Sequence, residues 1–239
     1  MGKNANSRKN AYGKEYFDRL DTLEWKRKNN LFPKYESQCL ELLEPDRDDI
    51  ILDAGCGTGW HIYHYANQCL FVIGVDLSKE GVKRASERLR ERSRHTSLGL
   101  IVGDVEKLPL SDNSVDKILC VSLIEHLEYP ASFLLEARRV LRENGVIIIG
   151  TPNRWDLLSR TLQFIGYKTW RRIPLIGYAD RTHTYLFTVP EIKALLCSCG
   201  FQTVGIKTQY SLFGMKTFGG ELVVKAVKIN WEANGNALN

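Results

Sequence analysis

Five short apolar runs follow one another along the first 150 residues, at 50–54, 70–75, 98–102, 115–121 and 146–150. Short apolar runs bounded by turn residues are typical of buried parallel strands. Segments with helical character separate the runs. This alternation predicts a mostly parallel, doubly wound α/β sheet with right-handed crossovers.

The segments between the runs carry signals for the starts and ends of helices. Ser78 is a natural N-cap for a charged amphipathic helix that we expect to reach about residue 94. Pro130 stands where the first turn of a later helix would begin. Gly145 follows the sequence ASFLLEARRVLREN, at the position of a C-terminal glycine. The pattern therefore predicts a helix that extends to about residue 144.

The C-terminal part of the chain regains a regular pattern at Thr188. Thr188 and Glu191 have the spacing of a capping box for a helix that runs to residue 199. Two final strands are predicted at 201–207 and 221–229. These elements are expected to complete the sheet.

The chain as a whole divides into four parts. Apolar residues recur at helical spacing between residues 16 and 43, with Pro33 interrupting them, which predicts two N-terminal helices. Residues 151–187 show little regular pattern. The four parts are a helical cap at 1–49, a core at 50–150, an insertion or lid at 151–187, and a C-terminal helix with strands at 188–239.

The strongest motif is DAGCGTG at residues 53–59, directly after the first strand. Glycines at every second position let the backbone turn sharply and approach a ligand closely. The amides at the start of the following helix face the same ligand. Asp76 ends the second strand, where a carboxylate can accept hydrogen bonds from ribose hydroxyls. Asp104 follows the third strand, where a carboxylate can accept the exocyclic amine of adenine.

A nicotinamide dehydrogenase is the rival interpretation of this motif. Its fingerprint, G-x-G-x-x-G, requires a glycine at the position of Trp60. The bulky Trp60 would lie near the pyrophosphate, and Asp53 is unfavourable beside a phosphate. Asp53 suits a ligand with a cationic amino-acid part. The motif therefore favours a ligand without a phosphate.

With these residues in view, 50–150 resembles the class I S-adenosylmethionine-dependent methyltransferase family, close to its quinone-biosynthesis and small-molecule branches. The similar stretches are ILDAGCGTG, VIGVDLS, GDVEKLPLSDNSVDKILCVSLIEHL and ARRVLRENGVIIIGTPN, and HTYLFTVPEIKALLCSCGF resembles the family's C-terminal helix and strand. The resemblance implies a Rossmann-like seven-stranded sheet, mostly parallel, with an antiparallel last strand at 221–229.

The resemblance also implies S-adenosylmethionine as cofactor. Asp53 and the glycines are expected to hold its methionine part, Asp76 its ribose and Asp104 its adenine. The expected cofactor-binding residues are Asp53, Gly55, Cys56, Gly57, Gly59, Asp76, Leu77, Asp104, Val105, Val121 and Ser122.

Three residues are candidates for a catalytic base. Methyl transfer from a sulfonium mainly requires alignment of donor and acceptor, and a base is needed only if the acceptor must lose a proton. Glu125 and His126 follow the fourth strand, beside the expected methyl group, and His183 precedes the aromatic pair of H-x-Y-x-F. The alternative is that Glu125 and His126 only begin a helix and that His183 only holds a loop.

Composition restricts the substrate and the location. The net charge of +5 and the absence of a long Lys/Arg run do not favour nucleic acid. No apolar run reaches the ~18 residues of a membrane span, and the polar N-terminus does not resemble a secretory signal. The six cysteines form no CxxC pair, so buried reduced thiols and no metal site are expected. These features predict a cytoplasmic protein.

The sequence leaves two hypotheses of function. The first is an enzyme that methylates an O, N or C atom of a small, apolar or amphiphilic molecule. The alternative is a catalytically silent module that binds S-adenosylmethionine and acts through association. Methylation of protein or tRNA is disfavoured, because CVSLIEHL follows the fourth strand in place of an asparagine-proline-proline-tyrosine type signature.

Residues 151–183 keep three interpretations open. The segment contains six Lys or Arg and two Asp, together with two tryptophans and several leucines and isoleucines. Cations beside tryptophan and leucine suit a peripheral membrane contact. They also suit a lid that excludes water from an apolar, anionic substrate. An ordinary packed subdomain or a homodimer contact is the third interpretation.

Overall fold

The computed structural model describes residues 34–90, 97–154, 184–208 and 220–229. Within these ranges five α-helices and seven strands follow one another. They are α1 Lys34–Leu43, β1 Ile50–Ala54, α2 Trp60–Tyr65, β2 Phe71–Asp76, α3 Lys79–Leu89, β3 Ser97–Val102, β4 Val115–Val121, α4 Pro130–Val140, β5 Leu141–Pro152, α5 Val189–Ser198, β6 Phe201–Thr208 and β7 Glu221–Lys228. The first of the two predicted N-terminal helices lies outside the described residues, and the second corresponds to α1.

The seven strands form one sheet in the order β3-β2-β1-β4-β5-β7-β6. The first five strands are mutually parallel. The last strand in the chain, β7, lies between β5 and β6 and is antiparallel to both. The predicted fold class, a mostly parallel seven-stranded sheet with an antiparallel last strand, is confirmed.

Helices cover both faces of the sheet, which explains why the central strands are apolar along their length. On one face, α1, α2 and α3 contribute residues such as Cys39, Ile62 and Leu89 to a cluster with Ile51 and Ile148. On the other face, α4 and α5 pack against the remaining strand residues. Burial on both faces removes the alternation of polar and apolar residues that a half-exposed strand would show.

Two of the predicted helix caps are present. The Ser78 hydroxyl accepts a hydrogen bond from the Gly81 amide at 3.2 Å, at the start of α3. At α5, the Glu191 carboxylate accepts a bond from the Thr188 amide at 2.8 Å, and the Thr188 hydroxyl accepts the Glu191 amide at 3.4 Å. The capping box therefore fixes the start of α5.

The helix predicted to extend to about residue 144 ends four residues earlier. Leu141 is fully buried and pairs with Val115 of β4, so the chain enters the sheet directly after Val140. The left-handed residue in the irregular first part of β5 is Asn144, with φ 61°, and not Gly145. A Cβ on Gly145 would lie 2.8 Å from the Arg142 carbonyl oxygen, so close packing is the reason for this glycine.

The six cysteines are free thiols, and four of them are buried. None of the helices in the described ranges is both long enough and apolar enough to cross a membrane.

The capping box at α5 yields a first test. Thr188→Ala removes the hydroxyl that accepts the Glu191 amide and should lower the free energy of unfolding by about 1 kcal/mol. Thr188→Ser keeps that acceptor and should stay close to wild type. Urea unfolding measures both variants, and equal stability of the Ala and Ser variants would contradict the cap.

Candidate functional site

Four adjacent parallel strands end at the same edge of the sheet, and the candidate residues follow these ends. The strand order β3-β2-β1-β4 brings together the turn after β1, Asp76 at the end of β2, Asp104 beyond β3 and Ser122 beyond β4. Open α/β sheets bind ligands at this edge. The structure therefore joins in one place residues that are up to 70 positions apart in the sequence.

The turn after β1 depends on glycine in both conformation and space. Gly55, Gly57 and Gly59 have φ values of 71°, 49° and 73°, a region that residues with a side chain rarely adopt. A Cβ on Gly55 would also lie 2.8 Å from Cδ1 of Leu123, and one on Gly59 would lie 3.1 Å from Cβ of Ala85. The glycines thus let the loop lie directly against neighbouring elements.

Main-chain hydrogen bonds fix this glycine loop to β2. The amides of Gly55 and Cys56 both donate to the Val75 carbonyl oxygen, at 2.8 and 3.1 Å. The Gly57 amide donates to Oδ2 of Asp76 at 2.8 Å. The side chain of Asp76, at the end of β2, therefore also fixes the conformation of the loop that follows the neighbouring strand β1.

Asp76 combines this structural role with unused acceptor capacity. Its Oδ1 atom accepts the Ser78 amide at 2.8 Å. A carboxylate offers about four acceptor positions, so each oxygen can accept a further bond from a hydroxyl. Burial raises the pKa of Asp76, and the amide bonds from Ser78 and Gly57 oppose that rise. The group is suited to hold vicinal hydroxyls.

Asp53 is the most deeply buried of the three acids, at 2% exposure. Its Oδ2 atom accepts the Tyr65 hydroxyl at 3.3 Å. Burial raises the pKa of Asp53 to about 6, while His61 and the Tyr65 hydroxyl act to lower it. A cation that approaches this carboxylate would restore its full charge. Asp53 is therefore suited to a cationic ligand group.

Asp104 begins a short 3₁₀ helix, Val105–Lys107, by accepting the Glu106 amide on Oδ1 at 2.9 Å. Val105 is buried and Leu77 is half-buried. Cys56 is also buried, which raises the pKa of its thiol well above the ordinary value and keeps it neutral. The three acids therefore have apolar neighbours among the expected cofactor-binding residues.

Ser122 has a strained backbone at the end of β4. Its φ is 51°, and its amide donates to the Gly150 carbonyl oxygen at 2.8 Å. Strained residues of this kind cluster at functional sites. Ser122 is exposed, whereas the preceding Val121 is 6% exposed. The strand end thus presents one polar residue beside the glycine loop.

Glu125 and His126 occupy a second 3₁₀ helix, Ile124–His126, and their environments differ. Glu125 is 1% exposed, and its Oε2 atom accepts the Thr151 hydroxyl at 3.0 Å. Its carbonyl oxygen accepts the amides of Thr184 and Tyr185, at 2.7 and 3.0 Å. His126 is only half-buried. The third candidate base, His183, lies outside the described residues.

Three residues that sequence reasoning missed lie beside the expected ones. Tyr65 contacts Asp53, Thr151 contacts Glu125, and Leu123 packs on Gly55. Tyr65 could have been noticed, because it follows His61 by four residues on a helix after the glycine loop. Thr151 and Leu123 carry no such signal. The pairing of β4 with β5 brings Thr151 to Glu125, and the pairing of β1 with β4 brings Leu123 to Gly55.

Among the comparisons with known proteins, residues 52–149 match the family model described as a methyltransferase domain. A probable S-adenosylmethionine-dependent methyltransferase of Mycolicibacterium smegmatis is 33% identical over 159 residues, covering 65% of this chain and 54% of that protein. A demethylmenaquinone methyltransferase of Tropheryma whipplei is 29% identical over 167 residues, covering 66% of this chain and 68% of that protein.

The crystal structure of a magnesium protoporphyrin IX methyltransferase from Synechocystis, with bound SAH, has the same fold. Its TM-score is 0.66 at 18% identity, and the match covers 95% of this chain and 100% of that one. The chain spans about half the length of the first curated relatives it matches, at 54%, 40% and 50%.

The raised pKa of Asp53 yields a test of its burial. Between about pH 4 and pH 6 the folded protein keeps a proton on Asp53 that the unfolded chain releases, so this group lowers stability as pH rises through that range. A shift of about two pKa units corresponds to about 3 kcal/mol. Asp53→Asn does not titrate, so wild type should lose that amount relative to the variant between these pH values.

Urea unfolding at pH 4 and pH 7 measures the difference. A gap between wild type and Asp53→Asn that is the same at both pH values would show that Asp53 titrates normally in the folded protein.

Proposed function

Because this chain belongs, through its methyltransferase domain at 52–149, to the class I S-adenosylmethionine-dependent methyltransferases, we propose that it transfers a methyl group from S-adenosylmethionine to a small, apolar or amphiphilic molecule. The observation that carries this proposal is the arrangement of Asp53, Asp76 and Asp104 around the glycine loop. Three carboxylates at adjacent strand ends suit a ligand with an ammonium, two hydroxyls and an aromatic amine.

The residues fit S-adenosylmethionine in charge as well as in shape. The loop glycines let the loop lie against Leu123 and Ala85, and Asp53 is a buried carboxylate that a nearby cation would stabilise. The acid is unfavourable for a phosphate. Trp60, which replaces the third glycine of a dinucleotide site, is 8% exposed and lies under the guanidinium of Arg88, 5.6 Å from the ring centre. The site therefore suits a cationic ligand better than a dinucleotide.

In the proposed roles, Asp53 and the loop glycines hold the methionine part, Asp76 accepts hydrogen bonds from both ribose hydroxyls, and Asp104 accepts one from the adenine amine. Cys56, Leu77, Val105, Val121 and Ser122 complete this side of the cofactor site. S-adenosylmethionine supplies an activated methyl group on its sulfonium. The remaining task of the protein is to align the acceptor with that methyl group and to exclude water.

His126 is the proposed base when the acceptor carries a hydroxyl. It lies at the end of β4 and is half-buried, so its side chain has access to solvent that the Glu125 carboxylate lacks. We assign Glu125 a positioning role, because its carboxylate and carbonyl oxygens bind Thr151 and the chain at Thr184 and Tyr185. His183 stays a candidate base on sequence grounds.

An apolar or amphiphilic acceptor is supported by the aromatic residues that follow Thr184. Tyr185 is 43% exposed, and its ring stacks on Phe187 with 6.2 Å between centroids. The Arg154 amide donates to the Phe187 carbonyl oxygen at 2.9 Å, so Arg154 lies beside this aromatic pair. The lid, membrane and homodimer interpretations of 151–183 stay predictions, as does the cytoplasmic location.

Removing the ribose acceptor tests cofactor binding. Asp76→Asn should weaken S-adenosylmethionine about tenfold to a hundredfold, because bonds to a charged acceptor are worth about 1.5–3 kcal/mol. Asp48→Asn, at an exposed position before β1, is the matched control and should bind like wild type. Calorimetry measures both, and an unchanged affinity in folded Asp76→Asn would refute the assignment.

Turnover separates the enzyme from a silent binding module. Wild type incubated with methyl-labelled S-adenosylmethionine should transfer label to a component of a metabolite extract and not to total RNA. If that component is a phenol or alcohol, His126→Ala should lower turnover about 10²- to 10⁴-fold with little change in cofactor affinity. Cofactor binding without label transfer to any acceptor would favour the silent module, and label on RNA would contradict the small-molecule proposal.

A further inference from the structure

Four buried or nearly buried polar side chains meet between α1, α2 and β1. Glu36 on α1 is 2% exposed, and its Oε2 atom lies 3.5 Å from Nε2 of His61 on α2, whose side chain is 13% exposed. Tyr65 on α2 donates its hydroxyl to Asp53 at the end of β1. We name these four residues the Glu36 cluster. Only Asp53 among them has a role in the cofactor site proposed above.

His61 is related to two acids from different elements, by its 3.5 Å contact with Glu36 and by its electrostatic effect on Asp53. His61 and Tyr65 are four residues apart on α2, so their side chains lie on the same helix face. Tyr65 contacts the Asp53 carboxylate at 3.3 Å, and His61 acts electrostatically on the same carboxyl group in favour of its charged form. Helix α2 thus carries both the hydroxyl that contacts Asp53 and the imidazole that acts on it electrostatically.

The position of Glu36 is set by the packing of α1. Cys39 and Leu43 of this helix are buried against the sheet, in the same cluster as Ile148 and Val223. Burying a carboxylate is costly unless a cation or hydrogen bonds compensate. With Glu36 and Asp53 both at 2% exposure, a positive charge on His61 would compensate both acids at once.

Other titratable groups around this cluster add negative charge or none. Burial is the largest cause of the raised pKa values of Asp53 and Cys39. Asp76 adds to the rise at Asp53, and Glu36 and Glu221 add to the rise at Cys39. The groups concerned are Glu36 and Cys39 from α1, Asp53 from β1, Cys56 from the glycine loop, Tyr65 from α2, Asp76 from β2 and Glu221 from β7. Among these and His61, His61 alone can carry a positive charge.

We infer that His61 is a positioning residue, oriented by Glu36, that keeps Asp53 in its carboxylate form for the cationic methionine end of S-adenosylmethionine. The inference rests on the proposed function. It also gives α1 a part in cofactor binding, since the helix supplies the acid that holds His61.

Cofactor affinity at two pH values tests this inference. His61→Gln should weaken S-adenosylmethionine roughly five- to tenfold at pH 6, because without the imidazole a smaller fraction of Asp53 is in the carboxylate form. At pH 8.5 Asp53 is ionised in both proteins, so the two affinities should agree within about twofold. Each variant is compared with wild type at the same pH, which cancels any titration of the cofactor.

Two further variants sharpen the comparison. Glu36→Gln should change affinity in the same direction as His61→Gln, and it keeps the test open if His61→Gln does not fold. His64→Gln replaces an exposed histidine on the same helix and should bind like wild type at both pH values. A loss of affinity that is equal at pH 6 and pH 8.5, or no loss in either cluster variant, would overturn the inference.

Unfolding of the cofactor-free protein distinguishes this inference from the proposed function. At pH 6, Asp53→Asn, His61→Gln and the double variant should give non-additive changes in stability, because the two side chains interact. Additive changes would overturn the inference even if wild type binds S-adenosylmethionine. Failure of wild type to bind S-adenosylmethionine, with non-additivity present, would instead refute the proposed function and leave the pairing of His61 with Asp53 intact.

Discussion

The site depends on one hydrogen bond, from the amide of Gly57 to the carboxylate of Asp76 at 2.8 Å. The bond joins the loop after β1 to the last residue of β2, and it requires the loop to adopt the left-handed conformations of Gly55, Gly57 and Gly59. It also fixes the Asp76 carboxyl group, whose other oxygen accepts the Ser78 amide at the start of α3. The Asp76 carboxyl group that is proposed to bind the ligand thus also holds the glycine loop in place.

Charge is the second constraint on this surface. Asp53 and Asp76 are carboxyl groups whose pKa values burial raises, so the folded protein bears a cost for placing them at neighbouring strand ends. A cationic ligand reduces that cost, whereas a phosphate increases it. The preference for S-adenosylmethionine over a dinucleotide thus follows from burial and charge together, beyond the glycine pattern that both ligand classes share.

The sheet and the placement of the three acids at strand ends could be predicted because their signals are local. Buried parallel strands appear as continuous apolar runs, and Asp53, Asp76 and Asp104 stand at or just after the ends of such runs. The end of α4 could not be predicted in this way. Arg142 has an ordinary helix propensity, but the preceding Leu141 pairs with Val115 of β4, and Arg142 forms an ion pair with Asp116 at 2.7 Å. The chain therefore continues as a strand.

The surroundings of Glu125 were also harder to predict, because they depend on tertiary contacts. Glu125 follows β4 as expected, but the bonds that bury its carboxylate come from Thr151 and its carbonyl bonds from Thr184, on parts of the chain that only the fold brings close. The pairing of Glu36 with His61 likewise joins two helices with no shared sequence pattern. Such contacts depend on tertiary packing, which periodicity and motif spacing do not encode.

We propose that the three acids and the glycine loop together select S-adenosylmethionine. Calorimetric titration of the wild-type protein with S-adenosylmethionine and, separately, with NADH tests this selectivity. We expect saturable binding of one S-adenosylmethionine per chain and no measurable heat with NADH. Saturable binding of NADH, or no binding of S-adenosylmethionine by the folded protein, would contradict it.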